Sequence, residues 1–288
     1  MNDVELLVDA KAITGEGPIW DDAQQKLLWV DIEGQVLYVY DPADGSNRRY
    51  DVGQIVGTVV PRYAHEVMLA VYDGFASYNL DTQQLQLIAN PEADKPNNRF
   101  NDGKCDPAGR FWAGTMAFTN QTNEGALYCL DTDFSVNKKI GDVGISNGIT
   151  WSLDHKTMYY IDSIARNVRA YDYDIDTGTI CNEKILIEVP AEMGIPDGMT
   201  IDEAGMLWIA QFHGSRVCRW NPHTGDILQT IRLPASCITA CAFGGKELDT
   251  LYITSAALAP GIPDEPLAGG LFAVKPGVRG VPSFRFGG

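Results

Sequence analysis

The sequence predicts an all-β fold, a six-bladed β-propeller forming one domain over residues 1–288. Three observations carry this expectation. Short apolar runs punctuated by 29 glycines and 15 prolines recur along the whole chain, and no amphipathic helical pattern lasts beyond about two turns. A bulky strand signature repeats at Leu28-Trp29, Met68-Leu69, Phe111-Trp112, Tyr159-Tyr160, Leu207-Trp208 and Leu251-Tyr252. The markers at 29, 69, 112, 160, 208 and 252 stand 40 to 48 residues apart, room for four strands per unit, and six such units close a ring.

Within each unit a second run follows the marker after a short polar gap and ends in turn residues. Val36-Leu37-Tyr38-Val39-Tyr40 precedes Asp41-Pro42, Val168-Arg169-Ala170-Tyr171 precedes Asp172, and Val217-Cys218-Arg219-Trp220 precedes Asn221-Pro222. Asp and Asn beside Pro or Gly are hairpin chemistry. The N-terminal run Glu5-Leu6-Leu7-Val8 is expected to complete the last unit and close the ring.

Composition narrows the function classes. Against 38 acidic side chains stand 22 basic ones, a net charge of −16. Nucleic-acid backbones and anionic membrane surfaces would repel such a chain, so neither is expected as a partner. No run approaches the ~20 apolar residues of a membrane-spanning helix. Met1-Asn2-Asp3-Val4-Glu5 is acidic where a secretion signal carries Lys or Arg, which points to a cytoplasmic protein. The six cysteines lie singly in strand-like runs and are expected as buried free thiols.

Equivalent positions in a propeller converge on its axis, so register against the markers locates candidate functional residues. Glu16 and Asn147 each stand 13 positions before their markers, 29 and 160; Asn101 and Asp197 stand 11 before 112 and 208. Four units thus aim a carboxylate or carboxamide inward, whereas those at Val56-Gly57-Thr58 and Ile238-Thr239 do not. Two carboxylates and two carboxamides are hard oxygen donors suited to Ca²⁺, Mg²⁺ or Mn²⁺, so an axial metal site is expected. Three other patterns carry no chemistry. Gly144-Ile145-Ser146-Asn147-Gly148 has the spacing of a nucleophile elbow but runs into a strand, not a helix. Asp172–Asp176 lacks the glycine of a calcium loop, and the four histidines form no metal-binding pair.

The words around these positions resemble the family of regucalcin (senescence marker protein), gluconolactonases and insect luciferin-regenerating enzymes. They are Gly15-Glu16-Gly17-Pro18-Ile19-Trp20, Asn97-Asn98-Arg99-Phe100-Asn101-Asp102-Gly103-Lys104, Ser146-Asn147-Gly148-Ile149 and Ile195-Pro196-Asp197-Gly198-Met199. The resemblance implies a propeller holding one divalent cation on Glu16, Asn147 and Asp197, with Arg99 and Asn101 facing substrate. It implies hydrolysis of aldonolactones, small-molecule lactones being the partner. Asp197 is then the candidate to accept the proton of the attacking water. Ligand hardness favours Ca²⁺, while Zn²⁺, Mn²⁺ and Mg²⁺ fit the same oxygens. An esterase or organophosphate hydrolase with the same site, and a non-catalytic calcium-binding protein, are the alternatives. Where regucalcin-like members carry acids after Thr115-Met116-Ala117, this chain has Phe118-Thr119-Asn120, over the expected channel mouth.

Overall fold

The computed structural model describes residues 4–119, 123–257 and 265–288. These form six four-stranded antiparallel sheets, and the first strand of each packs beside the first strands of its neighbours, the sixth returning to the first. The six innermost strands are Gly15–Asp21, Val56–Tyr63, Asn98–Cys105, Ser146–Trp151, Ile195–Ile201 and Ile238–Gly244. The sixth blade is completed by the N-terminal strand Glu5–Val8, with Glu5 opposite Ala273 and Leu6 opposite Phe272. The expected six-bladed propeller and its closure are both present.

The marker residues sit on the second strand of each blade and fill the wedges between blades. All six are buried, at 3% exposure or less. Trp112 meets Trp151 of the next blade edge-on at 6.0 Å, Trp208 meets Phe243 at 5.7 Å, and Trp20 stacks on Tyr252 across the closure at 5.9 Å. Large aromatic rings bury much apolar area per residue, so a periodic Trp or Tyr both spaces and glues the sheets.

The third and fifth blades share a further device. Asp106 and Asp202, both fully buried, begin the turns Asp106-Pro107-Ala108-Gly109-Arg110 and Asp202-Glu203-Ala204-Gly205-Met206. One oxygen of each accepts from the backbone N–H two and four residues on; the other accepts from the indole of Trp112 or Trp208, at 2.9 and 3.0 Å. Arg110 and Arg219 complete the two clusters. Each cluster ties the tight inner hairpin to the wedge residue that separates the blades.

Every innermost strand carries a bulge soon after its start, between Glu16 and Ile19, Val56 and Thr58, Phe100 and Gly103, Asn147 and Ile149, Pro196 and Met199, and Ile238 and Cys241. Bulges turn strands and re-aim side chains. Glycine permits the close approach that results: a Cβ on Gly57 would meet Asn101 O at 2.5 Å, and one on Gly148 would meet Asp197 O at 2.7 Å. At the far end of the inner strands, residues 279–288 run across the propeller. There Arg279 O accepts from Glu203 N, Phe286 N donates to Pro61 O and Gly287 N donates to Gly109 O, each at 2.9 Å.

All six cysteines are free. Five are buried, but Cys181 is exposed, because it lies on the outermost strand Thr179–Glu188 of its blade, which has one solvent face. Among the described residues no helix is long and apolar enough to cross a membrane.

Candidate functional site

Glu16, Asn147 and Asp197 come together from the first, fourth and fifth blades, and all three are buried, at 4, 4 and 7% exposure. One oxygen of Glu16 accepts from Gly17 N at 2.7 Å. The amide nitrogen of Asn147 donates to Ser163 Oγ at 3.0 Å, and that hydroxyl donates to Pro196 O at 2.7 Å, beside Asp197. This chain locks the amide so that its oxygen is the free end. Asn147 Oδ1 and Asp197 Oδ1 are both buried without a hydrogen-bond partner among the described residues.

Such oxygens are expensive to bury alone, since each loses its water and gains no donor. Burial is also the main reason that Glu16 and Asp197 are held well above the ordinary carboxylate range, reinforced by Asp197 and Asp102 acting on Glu16 and by Asp102 acting on Asp197. A hard cation would satisfy the free oxygens and reverse both shifts, so the donor set fits one. Among the described residues no three His, Cys, Asp or Glu side chains stand close enough to hold an ion by themselves. A cation here therefore needs the Asn147 carboxamide beside the two carboxylates.

Arg99 and Asn101 lie on the third inner strand and work as a pair. Arg99 Nη1 donates to Asn101 Oδ1 at 2.8 Å and to Phe100 O at 3.0 Å, while Asn101 Nδ2 donates to Ser146 O at 2.8 Å. Both ends of the Asn101 amide are thus occupied, and its evident effect is to fix the guanidinium. Arg99 is 9% exposed. Its Nη2 stands 3.5 Å from Glu33, a carboxylate on the turn after the second strand of blade one.

Two residues that register counting passes over belong to this region. Asp102 occupies the bulge next to Asn101 and is 5% exposed, its carboxylate accepting from Gly103 N at 2.7 Å. Lys104 donates from Nζ to Met199 O. Burial raises the Asp102 carboxyl and lowers the Lys104 ammonium, and each opposes the other's shift. The signal was in the sequence: Asp102-Gly103 repeats the acid-or-amide-then-glycine dipeptide of Glu16-Gly17, Asn147-Gly148 and Asp197-Gly198.

Beside Arg99 a cavity of about 110 Å³ opens between blades two and three, lined also by Tyr72, Glu92, Asn98 and Thr115. Its lip is aromatic. Phe118, 45% exposed, stands over Tyr72, 37% exposed, with ring centroids 6.0 Å apart. Thr119 follows in a turn, and Asn120 lies outside the described residues.

Comparison with known proteins shows the family and the fold. The sequence pattern of the SMP-30/Gluconolactonase/LRE-like region matches residues 14–257. Regucalcin of Danio rerio is 43% identical over 291 residues, spanning 99% of this chain and 98% of its own. The solved luciferin-regenerating enzyme superposes with a TM-score of 0.94 at 34% identity, covering 99% of both chains. A calcium-binding protein, regucalcin, from Agrobacterium tumefaciens gives 0.93 at 26% identity, covering 99% of this chain and 97% of its own.

Proposed function

This chain belongs to the SMP-30/gluconolactonase/LRE-like family, and from that premise we propose that it is a divalent-cation-dependent lactonase opening sugar lactones. The observation that carries the proposal is the pair of buried, partnerless oxygens on Asn147 and Asp197. Glu16, Asn147 and Asp197 would hold the cation, for which calcium is the choice by ligand hardness and by the description of a solved relative as calcium-binding. When bound, such an ion supplies positive charge that polarises a lactone carbonyl and acidifies water.

The chain's own groups do the rest. Asp197 accepts a proton as the oxygen of water adds to the carbonyl carbon. The ring C–O bond then breaks, and the departing alkoxide takes up a proton to give the open hydroxy acid. Arg99, held by Asn101 and the Phe100 carbonyl, directs its remaining N–H groups at substrate oxygens and adds charge where the oxyanion develops. Asn101 orients Arg99, so its part in substrate binding is indirect. The test is removal of metal with chelator and return of single cations, with turnover followed on aldonolactones, aryl esters and phosphotriesters. Lactone turnover restored by one cation supports the reading; turnover of any of these substrates untouched by chelation overturns it.

One observation favours a second reading. The exposed Tyr72–Phe118 pair offers an apolar lip to an ester or phosphotriester, and preference for those substrates in the same panel would select it. Cation binding with no turnover on the whole panel would instead select a non-catalytic calcium-binding protein.

A further inference from the structure

Lys104 crosses the middle of the propeller. Its strand belongs to the third blade, and its Nζ reaches the Met199 carbonyl on the fifth, past the fourth. On one side of it lies a chamber of about 10 Å³, lined by Gly17, Asp102, Gly198 and Cys241, the scale of a single water. On the other, a cavity of about 240 Å³ opens beneath residues 281–284 at the far face. Lys104 and Ile19 line both, so these two side chains stand between the site end of the channel and the far end, and Lys104 is the charged one.

Two charged side chains stand here, Asp102 buried and Lys104 half-buried. Asp102 lines the chamber, two residues before Lys104, and its nearest bonded donor is a backbone N–H, not an ammonium or guanidinium. Gly17, next to Glu16, and Gly198, next to Asp197, line the same chamber. Asp102 and Lys104 therefore stand beside the residues that flank the candidate ligands, in a part of the channel with little room for water on the ligand side, where charges act on an ion more strongly than at the open surface.

We propose that Asp102 and Lys104 form a charge-setting pair behind the cation site: Asp102 strengthens the hold of Glu16, Asn147 and Asp197 on a divalent ion, and Lys104, spanning the channel, limits it and closes the back. The inference rests on the cation reading given above. Neither residue is among the three proposed ligands, and both act on affinity through their charge.

The experiment is calcium titration by calorimetry of the chelator-stripped full chain, in wild type, Asp102→Asn, Lys104→Met and the double variant. Wild type binds one calcium. Asp102→Asn weakens binding by about tenfold or more, Lys104→Met tightens it by a similar factor, and the double variant returns near wild type. Melting temperatures without calcium report folding separately, and should Lys104→Met not fold, Lys104→Gln takes its place alone and in the double variant, while Asp102→Asn reads the acid by itself. Wild type that binds calcium while the variants stay within about twofold of it overturns the pair's role and leaves the cation reading standing. Wild type that binds no calcium, magnesium or manganese removes both.

Discussion

Asn147 and Asp197, on the innermost strands of neighbouring blades, each bury a side-chain oxygen, Oδ1, that has no hydrogen-bond partner among the described residues. The neighbouring hydrogen bonds explain why the arrangement holds. Ser163 bridges the Asn147 amide to the Pro196 carbonyl, so the fold fixes the free oxygens and does not let them rotate towards solvent. A site built this way is costly when empty of positive charge and stable when filled.

Substitution at Asp197 should separate those two states. In Asp197→Asn the metal-free protein keeps or gains thermal stability, because a buried acid has gone. A cation at 100 times its Kd stabilises wild type by about 2.7 kcal/mol, and that increment should vanish in the variant. Lactone turnover should fall by about a thousandfold or more. Thermal melts with and without calcium, run beside initial rates, check all three.

The pH dependence has a definite sign. Glu16, Asp102 and Asp197 hold their protons more tightly in the cation-free fold than in the unfolded chain, chiefly through burial. Their contribution to cation-free stability is therefore complete below the ordinary carboxylate range and is lost as pH rises through the raised values. Cation binding requires the ligands ionised, so the calcium-induced rise in Tm should be larger at pH 8 than at pH 5. An equal rise at both would contradict the carboxylate set.

Arg99 and Asn101 should fail in different ways. Arg99→Met removes the charge and should cost about a hundredfold in kcat/KM, ~2.7 kcal/mol. Asn101→Leu leaves the guanidinium present but loose, since Asn101 Oδ1 anchors it at 2.8 Å. Its loss should be smaller and fall mainly on KM. Steady-state kinetics on one lactone distinguish the two, and equal losses would place Asn101 in contact with substrate.

Phe118 should govern which lactones are accepted. Replacing it with Glu puts an acid on the lip opposite Tyr72 and should favour hydroxyl-rich aldonolactones over alkyl-substituted ones by about tenfold or more. The ratio of kcat/KM values on a matched pair measures this; an unchanged ratio shows that the lip does not touch substrate.

Stability should be most sensitive at the buried aspartates of the inner hairpins. Asp202→Ala strips the Trp208 indole and Arg219 of their partner and should cost about 3 kcal/mol. Activity at low temperature should survive, since Asp202 lies outside the site. Chemical denaturation gives the number.

Much of this was readable in the chain because a repeat exposes its own register. Trp29, Trp112 and Trp208 mark second strands, and counting back from markers of this kind reaches Glu16, Asn147 and Asp197. The count stopped at Asn101 and passed over Asp102, because this blade carries two adjacent polar residues in its bulge and a count takes one position per blade. Lys104 was hidden for another reason: its partner, Met199, lies on a different blade, and contact across the axis leaves no local pattern. Asn101 is reached by the same count, but the occupation of both ends of its amide depends on Arg99 and Ser146, which only the folded packing brings together.

The most direct test of the central claim is equilibrium dialysis of chelator-stripped protein against calcium, comparing wild type with Asn147→Ala. One calcium is expected per wild-type chain and none at the same concentration in the variant, with both folded. Equal binding by the two proteins, or a folded wild type that takes up no divalent cation at all, would contradict it.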